Sequence, residues 1–312
     1  MLYSKIIFSL LISPSLFFAG VLDHVKKAEG KSLNHAMEGI DFIYMINLDK
    51  RPEKFLQASS QLTSYGIHPY RFSAVNGWEL SLEVINDVGL RYKPGMNSLF
   101  ATSYPLEGEG LPSHGFMRED GGAYFVHCMA YGTIGCALSH ISVLKDAWDS
   151  GYETIWVLED DVVALKDPRE ISTLIEKLDA LVGKENWDVF FTDRDYRSSS
   201  GGYVVAYGAA KRPDMDCSYE ERYSEKYTVN TVISDDFCKI GARFGTHSMV
   251  IRRSGIKKLL DFAEAHQIYL PYDLDNYLAP GINRYGLCYD LVTNMLHSLS
   301  DNGKPGYKTV DP

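Results

Sequence analysis

Along the chain, short continuous apolar runs alternate with stretches whose apolar residues recur every three or four positions. That is the pattern of buried strands separated by amphipathic helices. Residues 40–48 (Ile-Asp-Phe-Ile-Tyr-Met-Ile-Asn-Leu) read as a first buried strand. Asp49 then offers a helix N-cap and Pro52 a first-turn residue, while Phe55, Ala58, Leu62 and Tyr65 mark a helix that Gly66 would close. Residues 67–75 read as a second strand. Strand, helix, strand within so short a span predicts a βαβ unit and a parallel sheet. The alternation resumes with a helix over 133–148, a strand over 154–158, a helix over 168–181, a strand over 187–191, a strand over 246–251 and a helix over 255–266. Two stretches break it. Residues 92–125 are rich in Gly, Pro and Ser and read as a long lid or binding loop, and residues 207–239 read as a second variable, irregular region. No internal repeat is visible.

The strand over 154–158 ends in Glu159, Asp160 and Asp161. Three carboxylates at the carboxyl end of a buried strand are costly unless a positive group neutralises them, and hard divalent cations take oxygen ligands. Ligands also sit outside the carboxyl ends of strands in open α/β sheets. The alternative is a solvated acidic loop. A rival acidic pair, Asp193 and Asp195, flanks Arg194, which can supply the counter-charge of a structural ion-pair loop. Asn47 and Arg51, just past the first strand, suit phosphate contact, or else a helix start and a surface arginine. Ser139 and His140 lie on a helix without an acid at triad spacing. Asp273, between Tyr272 and Leu274, is either a general base with raised proton affinity or a turn cap.

Composition narrows the field. Hydrophobic residues make up 45% of the 312, enough for one large α/β domain or two small ones. A net charge of −10 argues against a nucleic-acid partner. The five cysteines (Cys128, Cys136, Cys217, Cys238, Cys288) form no C-x-x-C pair, which argues against zinc, and a disulfide among them requires export. Residues 1–20 carry Lys5 ahead of an apolar core and read as a signal-like or anchor segment that would send the chain for export or tie it to a membrane. Residues 21–39 read as a linker or peripheral helix, 40–300 as the main domain and 301–312 as a tail. Walker and dinucleotide-binding glycine loops are absent from the sequence, so ATPase and dinucleotide readings fall away.

The order of motifs adds to this. Ile-Asn-Leu-Asp-Lys-Arg-Pro-Glu-Lys (46–54), Phe-Ser-Ala-Val-Asn-Gly (72–77), Gly-Thr-Ile-Gly-Cys-Ala-Leu-Ser-His (132–140), Val-Leu-Glu-Asp-Asp-Val (157–162), Trp187-Asp188-Val189, Gly245-Thr246 and Pro271-Tyr272-Asp273 together resemble glycosyltransferase family 25, over residues 42–300. That family includes lipopolysaccharide and procollagen galactosyltransferases. The resemblance implies an α/β fold, a GT-A-type Rossmann-like domain with a mostly parallel central sheet flanked by helices. It implies an inverting transfer of a hexose, galactose in the named members, from a UDP-sugar donor with Mn²⁺ (or Mg²⁺) to a hydroxyl of a glycan or lipid-linked acceptor. Carried onto this chain, Asp161 with Glu159 would hold the metal and Asp273 would be the base. Asn47, Arg51, Asn76, Gly77, His140 and His247 would line or support the donor site, and His297 is a candidate third ligand. The family commonly has Asp where this chain has Asn76. The competing expectation is an exported, non-catalytic carbohydrate-binding or host-interaction protein on the same fold.

Overall fold

The computed structural model describes residues 19–108, 111–298 and 300–301. The signal-like core at 1–18, residues 109–110 of the glycine-rich stretch and the tail from 302 lie outside the described residues. Among the described residues no helix is long and apolar enough to cross a membrane. In chain order the elements begin with β1 (Phe42–Asn47), α1 (Pro52–Thr63), β2 (Tyr70–Ser73) and α2 (Leu82–Val88). Then come β3 (Leu90–Arg91), β4 (Phe100–Ser103), β5 (Ser113–Phe116), β6 (Ala123–Val126) and α3 (Tyr131–Asp149). The centre of the chain forms β7 (Thr154–Glu159), β8 (Val162–Ala164), α4 (Glu170–Val182) and β9 (Val189–Phe191). One-turn helices α5 (Tyr219–Arg222) and α6 (Glu225–Thr228) precede β10 (Asn230–Val232), β11 (Phe237–Ile240), β12 (Ser248–Arg252) and α7 (Arg253–His266). The chain closes with α8 (Tyr272–Asp275), β13 (Arg284–Leu287) and β14 (Val292–Asn294).

Eight strands form the central sheet, in the order β10-β11-β13-β9-β12-β7-β1-β2. The expected βαβ unit is present: β1 pairs parallel with β2 and with β7. The sheet is not mostly parallel, however. Three of its seven pairings are parallel and four antiparallel, because β12 runs against both β7 and β9 and the β10–β11 edge is antiparallel. A buried apolar run such as Ser248–Arg252 fits a central strand of either direction, so its sequence does not reveal the reversal. Side chains alternate between two cores, as the strand period demands. Tyr44, Ile46, Ile155 and Val157 face one layer with α3 and α7, whereas Ile43, Met45, Trp156 and Leu158 face the other with α1 and α4.

Three further expectations shift. Arg51, not Asp49, occupies the cap position of α1, because Pro52 fixes the first helical residue; Asp49 instead accepts a hydrogen bond from Ser73 Oγ at 2.6 Å. Residues 92–125 are not a free loop: β4, β5 and β6 with β3 make a separate four-stranded antiparallel sheet. Residues 21–39 lie against the domain rather than spanning away from it. Val21 is buried, and Lys31 Nζ contacts Asp146, which also accepts from Tyr44. Cys238 and Cys288 are joined in a disulfide between β11 and the end of β13.

Candidate functional site

Beyond β7 the chain makes a two-residue turn, Asp160–Asp161, and returns as β8, whose antiparallel ladder with β14 continues into a Met295 N–H bond to the Asp161 carbonyl at 2.6 Å. The acidic turn is therefore pinned between two strands. Each carboxylate meets a different environment. Glu159 Oε1 takes a hydrogen bond from Thr246 Oγ1 at 2.7 Å and lies 3.0 Å from His140 Nε2. Burial pulls the Glu159 pKa up, but these two contacts outweigh it and hold the group down to about 2. Asp160 accepts from Asn47 Nδ2 at 2.6 Å, against a pKa raised by burial. Asp161 is pushed up to about 6, by burial first and by the Glu159 charge second. Its Oδ1 is buried and has no hydrogen-bond partner among the described residues.

Two clefts meet at this turn. The first is lined by Asn47, Lys54, Asn76, Gly77, Trp78 and His140. The second is lined by Tyr196, Arg197, Thr246, Asp273, Met295 and His297. Cys136, Glu159, Asp161 and Ser300 border both, so the acid pair forms a shared wall. The floor of the first cleft depends on a close approach of backbones. A Cβ on Gly77 would lie 1.7 Å from the Tyr131 carbonyl oxygen, and one on Gly135 would lie 2.5 Å from Gly77 N. Ser139 Oγ completes the joint, accepting from Val75 N–H at 2.8 Å and donating to the Gly135 carbonyl at 2.7 Å. The spacing of Tyr131, Gly135 and Ser139 on α3 is thus the imprint of a docked loop.

In the second cleft Asp273 sits in the first turn of α8, and its Oδ2 accepts from Gly245 N–H at 3.0 Å. Gly245 holds φ +73°, a conformation that suits glycine and aims its N–H at the acid. Burial raises the Asp273 pKa most; the Gly245 bond opposes it and the Glu159 charge adds to it.

The structure brings Glu159, Asp161, Asp273, Asn47, Asn76, Gly77, His140 and His297 to the clefts, whereas Arg51 and His247 line neither. Asn47 spends both ends of its buried amide on protein partners, Asp160 and the Arg51 carbonyl on one side and Arg71 Nε on the other. Arg51 does not line the first cleft; its guanidinium pairs with Glu53 at 2.6 Å and with Asp301. His247 does not face it either. Its ring is buried 2.5 Å from Asp193 Oδ2, and this attraction outweighs burial and raises its pKa. Asp193 is a structural ion-pair centre, but Arg194 is not its counter-charge. Arg243 Nη1 at 3.0 Å, His247 and Thr293 surround it, while Arg194 packs over the Tyr203 ring. His297 reaches the second cleft as an exposed residue with φ +63°. Cys136, His140 and Glu159 place ligand atoms within 4.8 Å of one another, but burial drives the Cys136 thiol strongly toward its protonated form and His140 is committed to Glu159.

Sequence reasoning missed Lys54, Trp78, Tyr196 and Thr246. Lys54 lines the first cleft and reaches Asp301 at 2.8 Å. Trp78 is 47% exposed over the same cleft, its ring 5.3 Å from Tyr131. Their signals were present in hindsight: a lysine three residues past Arg51, and an aromatic directly after Asn76-Gly77.

Comparison with known proteins fits this layout. The profile of glycosyltransferase family 25 (LPS biosynthesis protein) matches residues 40–275. A protein of Aedes aegypti named "Glycosyltransferase 25 family member" is 25% identical over 249 residues, which are 77% of this chain and 32% of that protein. A protein of the same name from Drosophila melanogaster is 30% identical over 142 residues, 46% of this chain and 19% of that one. "Inactive glycosyltransferase 25 family member 3" of Mus musculus is 27% identical over 158 residues, 50% of this chain and 22% of that one. The chain spans at most about a third of the length of these relatives. With a profile match over most of its length and the motif-bearing elements assembled around one acidic turn, the chain belongs to glycosyltransferase family 25.

Proposed function

We propose that the protein transfers a hexose such as galactose from a UDP-sugar to a hydroxyl of a glycan acceptor, inverting the anomeric centre on a GT-A-type domain. The observation that carries this reading is the shared wall: Glu159 and Asp161 stand where two clefts meet. The oxygen-only pair, with the buried Asp161 Oδ1 lacking a partner, fits Mn²⁺ or Mg²⁺. When bound, such a cation supplies stabilisation of the charge that develops on a departing diphosphate.

The chain's own residues do the rest. His140 and Thr246 keep Glu159 ionised and fixed. Lys54 offers a cation to phosphate oxygens, and Trp78 with the Asn76–Gly77 turn offers a flat apolar face and a close backbone approach to a nucleoside. Asp273, oriented by Gly245 N–H, takes the proton of the acceptor hydroxyl in the second cleft. Inversion requires attack on the face of the sugar opposite the diphosphate, with the acceptor hydroxyl entering from the second cleft beside Asp273.

Replacing Asp161 with Asn tests the reading. Transfer and UDP-sugar hydrolysis should vanish while the circular dichroism spectrum stays that of the parent; full activity in this variant overturns it. The alternative, a non-catalytic carbohydrate-binding or host-interaction protein, is favoured by one observation, the relative named inactive. Calorimetry with UDP and Mn²⁺ separates the two, because absence of binding at millimolar concentration selects the alternative.

A further inference from the structure

A third cavity, of about 550 Å³, lies at the sheet edge formed by β10, β11 and the start of β13, apart from the acidic turn. Lys226, Lys239 and Arg284 line it, with Glu225 as the single acid. That sign is the reverse of the whole chain, whose net charge is −10. Arg284 is the unusual member. It is 4% exposed, yet no carboxylate pairs with it among the described residues. Its contacts are the Asn276 amide oxygen, 3.0 Å from Nη1, and the Tyr277 ring, 5.0 Å away. Burial lowers its pKa to about 9, and the nearby Arg243 adds to the effect. A buried guanidinium without a counter-ion is costly, and its planar fork matches carboxylate and phosphate oxygens. Lys226 and Lys239 likewise have no ion pair within 4.0 Å among the described residues. Val229, Ile240 and Ile282 supply an apolar wall for a ring or aliphatic body.

We infer that this cavity is a binding site for a small oxyanion-bearing ligand, a phosphate or a sugar carboxylate, with Arg284 as the buried fork and Lys226 and Lys239 at the mouth. The site is independent of the transfer reaction proposed above. It nevertheless touches the same framework, since Asn276 and Tyr277 follow directly on α8, which carries Asp273.

Inorganic phosphate and glucuronate, titrated calorimetrically into the full chain at constant ionic strength, are the probes. At least one should bind, and which one does identifies the phosphate or the carboxylate as the preferred group. Binding should weaken by about tenfold or more in Arg284→Met, as expected for loss of a charge-assisted fork. The surface double variant Lys226→Ala/Lys239→Ala, which leaves the core untouched, should weaken it as well and guards against a folding defect in the first. Absence of binding by both probes, or equal affinity in parent and double variant, overturns the inference.

Discussion

At the scale of single residues, the site is a set of carboxylates separated by what each one touches. Glu159 is held ionised by His140 and Thr246, whereas burial pushes Asp161 and Asp273 the other way. In the proposed role of base Asp273 must be ionised, so activity should rise with pH through its elevated pKa and fall off below it. The acid limb of a kcat/KM profile should therefore lie above the ordinary carboxylate range, and a profile flat down to pH 4 would remove Asp273 from that role. Asp273→Asn should lower kcat by about 10²–10⁴-fold with donor affinity unchanged, checked by initial rates and UDP calorimetry. Asp193 illustrates the opposite use of a carboxylate. Burial raises its pKa, but Arg243 and His247 outweigh burial and hold it at about 2, against an ordinary value of 3.8. Because the folded value is depressed, its contribution is present above about pH 4 and is lost as pH falls toward 2. Asp193→Ala would strand the buried Arg243 cation and deprive His247 of its partner, and should cost about 3–5 kcal/mol in urea unfolding at neutral pH. None of this pairing was legible in the sequence, because Asp193 and its partners lie 50 and 54 positions apart. The D-x-D spacing pointed instead to the neighbouring Arg194.

At the scale of elements, period and punctuation revealed most of the scaffold. Apolar alternation placed β1, β7 and β9, and spacing placed α1, α3, α4 and α7, each within a few residues. Strand direction and the small sheet of β3 to β6 escaped, since a four-residue strand such as Ser113–Phe116 carries too little alternation to register. The joint between the Val75–Gly77 turn and α3 was visible only as a motif; the structure supplies its cause. Gly77→Ala should force the turn off α3, because the added Cβ meets backbone rather than a yielding side chain. Overpacking of this kind costs about 1–3 kcal/mol. UDP affinity should drop by about tenfold or more, while far-UV circular dichroism stays that of the parent; unchanged affinity would separate the turn from the donor cleft.

At the scale of the whole molecule, the Cys238–Cys288 bridge joins positions 50 apart and encloses β12, α7, α8 and β13. Closing a loop of that length restricts the unfolded chain by an amount equivalent to about 4 kcal/mol. For a chain of this size, reduction should lower Tm by about 6 °C in calorimetry with and without reductant. Disulfides persist in oxidising compartments, so the bridge should be kept away from reductant during purification. Cysteine spacing alone left the pairing open.

The common border of the two clefts has a consequence for kinetics. Under the proposed transfer, donor and acceptor would occupy the two clefts that share Glu159 and Asp161, so the reaction should proceed through a ternary complex. Double-reciprocal plots should intersect; parallel lines, the mark of a covalent sugar–enzyme intermediate, are not expected. Since the same carboxylates face both ligands, occupancy of one side changes the charge that the other side meets. Binding should then be cooperative and ordered, with the anionic donor and its cation entering first and lowering the repulsion around Asp273.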